Sequence, residues 1–165
     1  MPGEAPALTA LTRQAKQHWG YPDAWMALWH DELVVPAEAI AAGHVWVAVR
    51  ADDIVGYVRI EQSEASLQTP TVWELEQLYV APSSLRGGIR KVLFCKACAC
   101  ARDAGATIVR TDADPHAEGF YLACGMTRIG ATPSAVIAGR ALSRLELSLE
   151  LSLDARRDDD AATSA

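Results

Sequence analysis

The sequence predicts an α/β (α+β) fold with a single mixed, mostly antiparallel sheet and flanking helices. Three observations support this prediction. Two short apolar runs flank the turn at 51–53, as in a β-hairpin. Between 72 and 111, two buried runs enclose a helical segment, which indicates a strand–helix–strand crossover. From Leu145 to Leu153, leucines alternate with polar residues, the period of a strand with one wet face.

The first half of the chain predicts two helices, the hairpin and a loop. Apolar residues with helical spacing predict helices at 8–18 and 23–33, separated by a glycine–tyrosine–proline break. The hairpin strands, at 45–49 and 54–60, are rich in β-branched and aromatic residues. Residues 61–71 are polar, and we expect a loop there.

The second half predicts alternating strands and helices. A strand is expected at 72–80, followed by a helix at 89–102 that a glycine ends. A strand at 107–111 and a helix at 115–124, again ended by a glycine, come next. A closing pair of strands completes the sheet, and the alternating leucines form the last of them.

Length and composition limit the possible classes of function. A chain of 165 residues, half of them hydrophobic, is expected to form one domain over 1–153, followed by a charged, disordered tail at 154–165. The net charge of -6 argues against a nucleic-acid-binding surface. No apolar run is long enough to cross a bilayer, and the first residues do not resemble a secretory signal. We therefore expect a cytoplasmic protein whose four cysteines are reduced.

Three of the cysteines raise the question of a metal site. Cys95, Cys98 and Cys100 lie within six residues. On a helix, at about 100° per residue, Cys100 points away from the other two, so the three thiolates cannot converge on one ion. We expect small packing residues and no metal.

The segment 78–93 is the strongest candidate for chemistry. A buried strand is followed by a short turn and a glycine-rich helix start. The first N–H groups of a helix are unpaired, and its dipole is positive there, so such a turn binds phosphate. Arg86, Arg90 and Lys91 add positive charge to the same turn of an acidic chain.

Two segments match the motifs of a known family. The strand at 73–80 leads into a loop close to the pattern Arg/Gln-x-x-Gly-x-Gly/Ala. Asp114, Ala117, Tyr121 and Gly125 keep the spacing of Asn-x-x-Ala-x-x-x-Tyr-x-x-x-Gly. In this order the motifs resemble those of the GCN5-related N-acetyltransferase (GNAT) superfamily.

The resemblance extends over residues 8–153. Segments 13–21 and 133–140 are similar to elements of one bacterial branch of the superfamily. It implies the GNAT acyl-CoA N-acyltransferase fold with its first strand short or missing, acetyl-CoA as co-substrate, and an amine acceptor on a small molecule or peptide. A homodimer through the exposed end of the sheet is compatible with the sequence.

This chain departs from the family pattern at three positions. Leu85 stands where Arg or Gln is usual, Arg90 where Gly or Ala is usual, and Asp114 where Asn is usual. A small residue at position 90 lets the backbone approach the phosphates closely. An arginine there either blocks that approach or points outward and adds a phosphate contact. By helical spacing Ile89 faces the core and Arg90 turns about 100° away, so an outward side chain is feasible.

The resemblance also implies the residues that bind acetyl-CoA. The pantetheine arm would pair with the backbone of Leu78 and Val80, as an added strand. The N–H of Val80 would serve as the oxyanion donor, and the turn at 86–91 would hold the pyrophosphate. The implied residues are Leu78, Tyr79, Val80, Arg86, Gly87, Gly88, Ile89, Arg90, Lys91, Asp114 and Tyr121.

Acetyl transfer needs an acid and a base. The resemblance gives Tyr121 as the acid that protonates the leaving thiolate; the alternative is a packed tyrosine whose hydroxyl faces solvent. Glu74 and Glu76 are the candidate bases, and strand alternation puts both on one face. The pattern fits either glutamate as the base. It equally fits a strand face that is only exposed to solvent, in which case neither glutamate is the base.

The acceptor site is less defined. Trp25 and Trp29 form an i,i+4 pair that is either core packing or a wall of the acceptor pocket. His18, beside Lys16, and Arg140 lie in the branch-specific segments and are candidates for acceptor contacts, Arg140 for an acidic group.

The sequence is compatible with three functions. The first is an N-acetyltransferase in which the amine attacks acetyl-CoA directly in a ternary complex. The second is a non-catalytic acyl-CoA-binding module, with Leu85 and Arg90 as signs of a degenerate loop. The third is an α/β interaction domain whose glycine-rich turn is structural.

Overall fold

The computed structural model describes residues 1–63 and 71–149, which form a six-stranded sheet with helices on both faces. This confirms the predicted mixed, mostly antiparallel sheet. The helices are α1 (Ala5–His18), α2 (Asp23–Leu28), α3 (Ala37–Ala41), α4 (Ile89–Asp103) and α5 (Pro115–Ala123). The strands are β1 (Val45–Arg50), β2 (Asp53–Gln62), β3 (Val72–Val80), β4 (Ile108–Ala113), β5 (Thr127–Pro133) and β6 (Ala141–Ser148).

The sheet splits at its centre. Its strand order is β1-β2-β3-β4-β6-β5, and every pair is antiparallel except β3 with β4. These two parallel strands pair only where Val72–Glu74 meets Ile108–Arg110. Beyond that point β3 continues to Val80 and β4 to Ala113, so the two strands diverge. The divergence opens a cleft in the middle of the sheet.

Each face of the sheet carries its own core. The side chains of Val58 and Ile60 in β2 are fully buried against α4 and α5. Tyr57, the residue before Val58 in β2, points to the opposite face and packs against Leu8 and Leu11 of α1. Burial on both faces explains why β2 is apolar without strict alternation. The cleft therefore lies between two firmly packed layers.

One glycine lets α4 lie close to the sheet. A Cβ at Gly56 would lie 3.0 Å from the carbonyl oxygen of Tyr79 and 3.1 Å from Leu93 of α4. Only a residue without a side chain leaves room for this contact, so Gly56 determines how closely the start of α4 approaches β3.

The predicted elements are confirmed with three corrections. The helix expected at 23–33 ends at Leu28, because Trp29 and Leu33 continue as turns and pack against Ile137. The short helix α3, which begins after Pro36, was not predicted. The last strand begins at Ala141, four residues before the alternating leucines.

Some predictions fall on residues outside the described ranges. They are the middle of the polar loop, 64–70, the end of the last strand at 150–153, and the tail at 154–165. Within the described ranges, no helix has the length and apolar character needed to cross a membrane.

Candidate active site

A β-bulge shapes the end of β3 at the cleft. Gln77 is opposite Arg59 of β2, and Leu75 is opposite Ile60, so Glu76 is an extra residue without a partner. Such bulges redirect side chains and are frequent beside active sites. The strict alternation expected for Glu74 and Glu76 is therefore interrupted between them.

The backbone of β3 beyond the bulge faces the cleft. The N–H of Ala81 donates to the carbonyl of Val55 at 2.9 Å, so Ala81 and, by alternation, Tyr79 pair with β2. The backbone groups of Leu78 and Val80 consequently point the other way, towards β4. Since β4 pairs with β3 only as far as Glu74, these groups border the open cleft.

The cleft contains a cavity of about 510 Å³. It reaches from the start of α4 to the end of α1, and both predicted cofactor residues and predicted acceptor residues line it. The predicted cofactor residues that line it are Leu78, Tyr79, Val80, Arg90, Asp114 and Tyr121. The predicted acceptor residues that line it are His18, Trp29 and Arg140. Further lining residues are Glu76, Lys16, Glu32, Gln77, Leu85, Thr111 and Asp112.

Tyr121 is buried at the wall of this cavity. Its side chain projects from α5, is 5% exposed, and contacts Phe94 and Phe120. Burial raises the pKa of the Tyr121 phenol well above its ordinary value, and a hydrogen bond with Thr111 only partly opposes this. The hydroxyl therefore stays protonated at neutral pH and can donate.

Glu74 is held in an ion pair away from the cavity. Its two oxygens accept hydrogen bonds from Arg144 of β6 at 2.6 and 2.9 Å. Such bidentate contact uses the lone pairs that a base needs. Glu74 also does not line the cavity.

Glu76 has the opposite environment. It lines the cavity and, within the described part of the chain, makes no hydrogen bond or ion pair. The side chain is open to the cavity, and its partial desolvation, together with the carboxylates of Glu61, Glu74 and Asp112, raises its pKa, which nearby Arg59 only partly lowers. Its carboxylate is thus better suited than that of Glu74 to accept a proton.

The start of α4 has the expected unpaired donors. Gly88 caps the helix with a φ of 70°, in the left-handed region that glycine adopts without strain. Among the described residues, the N–H groups of Gly88, Ile89 and Arg90 find no backbone acceptor. Arg86, Gly87 and Lys91 are exposed around this turn. The arrangement can bind an anion through backbone N–H groups and the helix dipole.

The two unusual residues of the turn both point inward. Leu85 is half-buried, packs on the core and lines the cavity. Ile89 packs on the core as expected, but Arg90 does not point to solvent. The Arg90 guanidinium lies 5.2 Å from the ring centre of Phe120, at the cavity wall. Of the two alternatives for Arg90, the structure does not have the outward side chain: the side chain is half-buried, and the electron-rich face of the Phe120 ring on α5 attracts the cation.

Asp114 is the centre of a buried ion cluster that also contains Lys16, Tyr21 and Arg140. Its Oδ2 accepts from Lys16 Nζ at 2.5 Å and from Arg140 Nη2 at 2.8 Å. Its Oδ1 accepts from the Tyr21 hydroxyl at 2.6 Å and from the N–H of His116 at 3.0 Å. Three chain segments, 16–21, 114–116 and the one that contains Arg140, therefore meet at one carboxylate.

The cluster changes the acidity of its members. Burial alone would raise the pKa of Asp114, but Lys16 and the hydrogen bonds from Lys16, Tyr21 and the His116 N–H lower it to about 2. Burial lowers the pKa of Lys16, which Asp114 partly restores. Burial and the hydrogen bond to Asp114 raise the pKa of Tyr21 to about 12. At neutral pH Asp114 is charged and Tyr21 is a neutral donor.

Aromatic rings enclose the cations of this cluster. Lys16 Nζ lies 4.5 Å from the ring centre of Trp29, and the Arg140 guanidinium lies 4.9 Å from the same ring. Trp25 lies against Tyr21 and Trp29 but does not reach the cavity. His18 is at the exposed rim of the cavity. Trp29 thus lines the cavity, whereas Trp25 packs against Tyr21 and Trp29 away from it.

Several cavity residues were not predicted from the sequence. Gln77 is 7% exposed, its Nε2 donates to the carbonyl of Val34 at 3.4 Å, and its Oε1 has no partner in the described residues. Thr111 also lines the cavity; Tyr21 does not, but its hydroxyl donates to Asp114, which does. The signal for Tyr21 was its place in the segment 13–21, whereas Gln77 carries no such signal because a strand pattern does not reveal a bulge.

Comparison with known proteins agrees with this geometry. The family model described as Acetyltransferase (GNAT) family matches residues 7–126. A search of curated proteins found no match. Solved structures that resemble this chain include a GCN5-related N-acetyltransferase from Rhodopseudomonas palustris, with 20% identity, a TM-score of 0.70 and coverage of 90% of this chain and 92% of the other.

Two further structures share the fold. Ribosomal-protein-alanine N-acetyltransferase from Brucella melitensis is 22% identical, with a TM-score of 0.65 and coverage of 90% of this chain and 96% of the other. The protein yncA from Salmonella typhimurium, with its cofactor acetyl-CoA, is 18% identical, with a TM-score of 0.63 and 91% of both chains covered. The family match spans well over half of the sequence, and the chain therefore belongs to the acetyltransferase (GNAT) family.

Proposed function

We propose that this protein transfers an acetyl group from acetyl-CoA to a primary amine of a small molecule or peptide, within a ternary complex. One observation carries the proposal: the part of β3 that does not pair with β4, Tyr121 and Glu76 all line a single cavity. If the thioester of acetyl-CoA lies along β3, the cavity offers Tyr121 to donate a proton to the sulfur and Glu76 to take a proton from the attacking amine.

Each step then has a candidate group. Glu76 removes a proton from the ammonium, because an ammonium has no lone pair with which to attack. The amine nitrogen bonds to the thioester carbon, and the N–H of Val80 stabilises the oxyanion. The carbon–sulfur bond breaks, Tyr121 protonates the departing thiolate, and the acylated nitrogen loses its remaining extra proton to solvent, giving the amide and free CoA. Glu76 releases the proton that it took from the ammonium. Tyr121 then regains a proton from solvent.

Binding of acetyl-CoA would use the remaining predicted residues. The pantetheine arm pairs with Leu78 and Val80, and the pyrophosphate lies on the N–H groups at 88–90. Arg86 and Lys91 are exposed beside this turn and add charge. Structures of family members with acetyl-CoA or CoA support this choice of co-substrate.

A second function has one observation in its favour. Arg90 and Leu85 both reach into the cavity beside Tyr121, where they take up space next to the proposed thioester. A protein in which they obstruct the reaction would bind acyl-CoA without turnover.

One assay separates these functions. The protein is mixed with acetyl-CoA and a panel of primary amines, and free thiol is followed, while CoA binding is read from the melting temperature. Turnover supports the transferase; stabilisation by CoA without turnover on any amine supports the binding module. A melting temperature that CoA leaves unchanged contradicts both.

Tyr121→Phe tests the proposed acid. We expect kcat to fall by roughly 100-fold with acetyl-CoA affinity unchanged, the usual scale of general acid catalysis. Tyr57→Phe is the matched control, because Tyr57 is a buried tyrosine on the opposite face of the sheet, bonded to Thr12. An unchanged kcat in Tyr121→Phe would remove this residue from the mechanism.

A further inference from the structure

The cations around Asp114 have more hydrogen-bond donors than the cluster has acceptors. A lysine ammonium has three N–H donors and an arginine guanidinium has five. Lys16 Nζ donates to Asp114, and Arg140 uses only Nη2, on Asp114 and Tyr21. The Nε and Nη1 groups of Arg140 have no acceptor in the described residues, although its side chain is only 10% exposed.

Asp114 cannot accept further bonds. A carboxylate offers about four lone-pair sites, and Tyr21, the His116 N–H, Lys16 and Arg140 occupy them. The spare donors of Lys16 and Arg140 can therefore be met only by an acceptor from outside the cluster. Arg140 Nε and Nη1 are not among the fully buried atoms that lack a partner, so they are accessible from the cavity, and a ligand there can replace water on them.

The charge of the cluster also calls for an anion. Lys16 and Arg140 are balanced by one carboxylate, which leaves one positive charge. Glu32 also lines this part of the cavity, but it is exposed to solvent and has no ion pair within 4 Å in the described ranges. Solvent screens its charge more than it screens the buried cations.

The geometry of Arg140 suits a carboxylate. Its guanidinium lies over Trp29 and Tyr21, at 4.9 and 5.5 Å from the ring centres. Stacking of this kind holds the planar group in place and keeps water from its faces. An edge of a fixed guanidinium binds a carboxylate with two parallel hydrogen bonds.

We propose that the acceptor is a primary amine that also carries a carboxylate, and that Lys16 and Arg140 bind that carboxylate. Glu76, on another wall of the same cavity, faces the amine. This inference rests on the proposed acetyl transfer and names its substrate class. The carboxylate takes no part in the bonds that form and break; it only holds the acceptor.

The test compares matched acceptors. Each set contains an amino acid, its amide and the corresponding amine without a carboxyl group, with different spacings between the amine and the carboxylate. We expect kcat/KM for the best amino acid to exceed that of its amide by about 10- to 100-fold, the scale of a hydrogen bond to a charged group. The difference should lie mainly in KM.

A single variant keeps the cluster balanced. Arg140→Gln removes one cation and leaves Lys16 paired with Asp114, so no buried charge is left without a partner. In this variant the preference for the acid over the amide should fall to near one. Arg110→Gln is the control, because Arg110 pairs with Glu146 on the sheet outside the cavity and should retain the preference.

The outcomes distinguish this inference from the proposed function. Turnover with equal kcat/KM for acid and amide overturns the inference and leaves the transferase standing. If no amine is acetylated, the proposed function fails, and binding of N-acetyl amino acids is then read from the fluorescence of the five tryptophans, among them Trp29, which contacts Arg140. Quenching by the acid but not by its amide supports the carboxylate site; equal quenching, or none, overturns it.

Discussion

Glu74 and Glu76 are two residues apart, yet their chemistry differs. Arg144 holds Glu74 in a bidentate contact, whereas the bulge leaves Glu76 open to the cavity. Sequence alternation treats both alike, so it could not choose between them. The two side chains differ in environment because the bulge adds one residue to β3 relative to β2.

We expect the acidic limb of kcat/KM to depend on Glu76. A base acts when deprotonated, and partial desolvation raises the pKa of Glu76 above 4.5, so activity should rise with pH through a pKa above that value. Glu76→Gln should abolish this limb and lower kcat/KM by roughly 100-fold. Glu74→Gln should keep the limb. If the limb persists in Glu76→Gln, the base is another group. Because the acceptor amine also titrates, the profile is measured with two acceptors of different amine pKa: a limb that moves with the acceptor belongs to the acceptor and not to the enzyme.

Asp114 should contribute to the loss of stability in acid. Its pKa falls from 3.8 to about 2 on folding, which corresponds to roughly 2 kcal/mol. Because the folded pKa is the lower one, this contribution is complete above pH 3.8 and is lost as the pH falls towards 2. Urea midpoints measured between pH 5 and 2 should fall more steeply in the native protein than in Asp114→Asn. Asp53→Asn, at an exposed carboxylate, should follow the native curve.

Single residues differ in how far the sequence reveals them. Tyr121, Leu78 and Val80 were predicted, since motif spacing fixes their places on a helix and a strand. The contacts of Asp114 with Lys16 and Arg140 were not, because they join positions 98 and 26 residues apart. Local pattern carries no information about such pairs.

The start of α4 depends on the backbone freedom of Gly88. Its φ is 70°, and a Cβ there would meet nothing within 4 Å, so strain alone decides the effect of a side chain. We expect Gly88→Ala to lower stability by roughly 1–2 kcal/mol and to weaken CoA binding, since the N–H groups that follow would shift.

Gly119 in α5 is the matched control. It also has open space for a Cβ, but its φ is in the ordinary helical range. Gly119→Ala should raise stability by roughly 1 kcal/mol, the difference in helix propensity. Denaturant midpoints and calorimetric CoA titrations measure both variants. Equal effects of the two substitutions on stability would contradict a role for the left-handed conformation at Gly88.

Helices and strands were predicted where periodicity is long, and missed where packing decides. The alternation of Leu145 and Leu147 is confirmed in β6. Helix α3 has five residues, too few for a periodic signal, and α2 ends early because Trp29 turns into the aromatic cluster. Tertiary contacts overrule local preference in both cases.

At the scale of the whole molecule, the sequence predicted the sheet but not its split. The crossover and the hairpins in the sequence predict which strands are neighbours, but they do not predict where β3 and β4 separate. The separation after Glu74 depends on the bulge and on the side chains between the strands, among them Thr111, whose hydroxyl bonds to the carbonyl of Leu75 at 2.8 Å.

The cluster around Asp114 should form late in folding. Bringing Tyr21 to Asp114 closes a loop of 93 residues, which costs entropy that only a largely formed sheet offsets. We expect Tyr21→Phe to speed unfolding and leave the folding rate unchanged, a φ-value near 0. Ile60→Val, in the core of β2, should slow folding. A high φ-value for Tyr21→Phe would contradict this order.

The position of that cluster also sets the order in which the protein comes apart. A region that forms last opens first, with a free energy below that of global unfolding. Amides of α1 near Lys16 and of the 134–140 segment should therefore exchange hydrogen faster than those of α4. The Asp114 carboxylate joins three segments that are distant in the sequence. The end of the cleft at which we propose that the acceptor binds can therefore open while the layer beneath α4 stays folded.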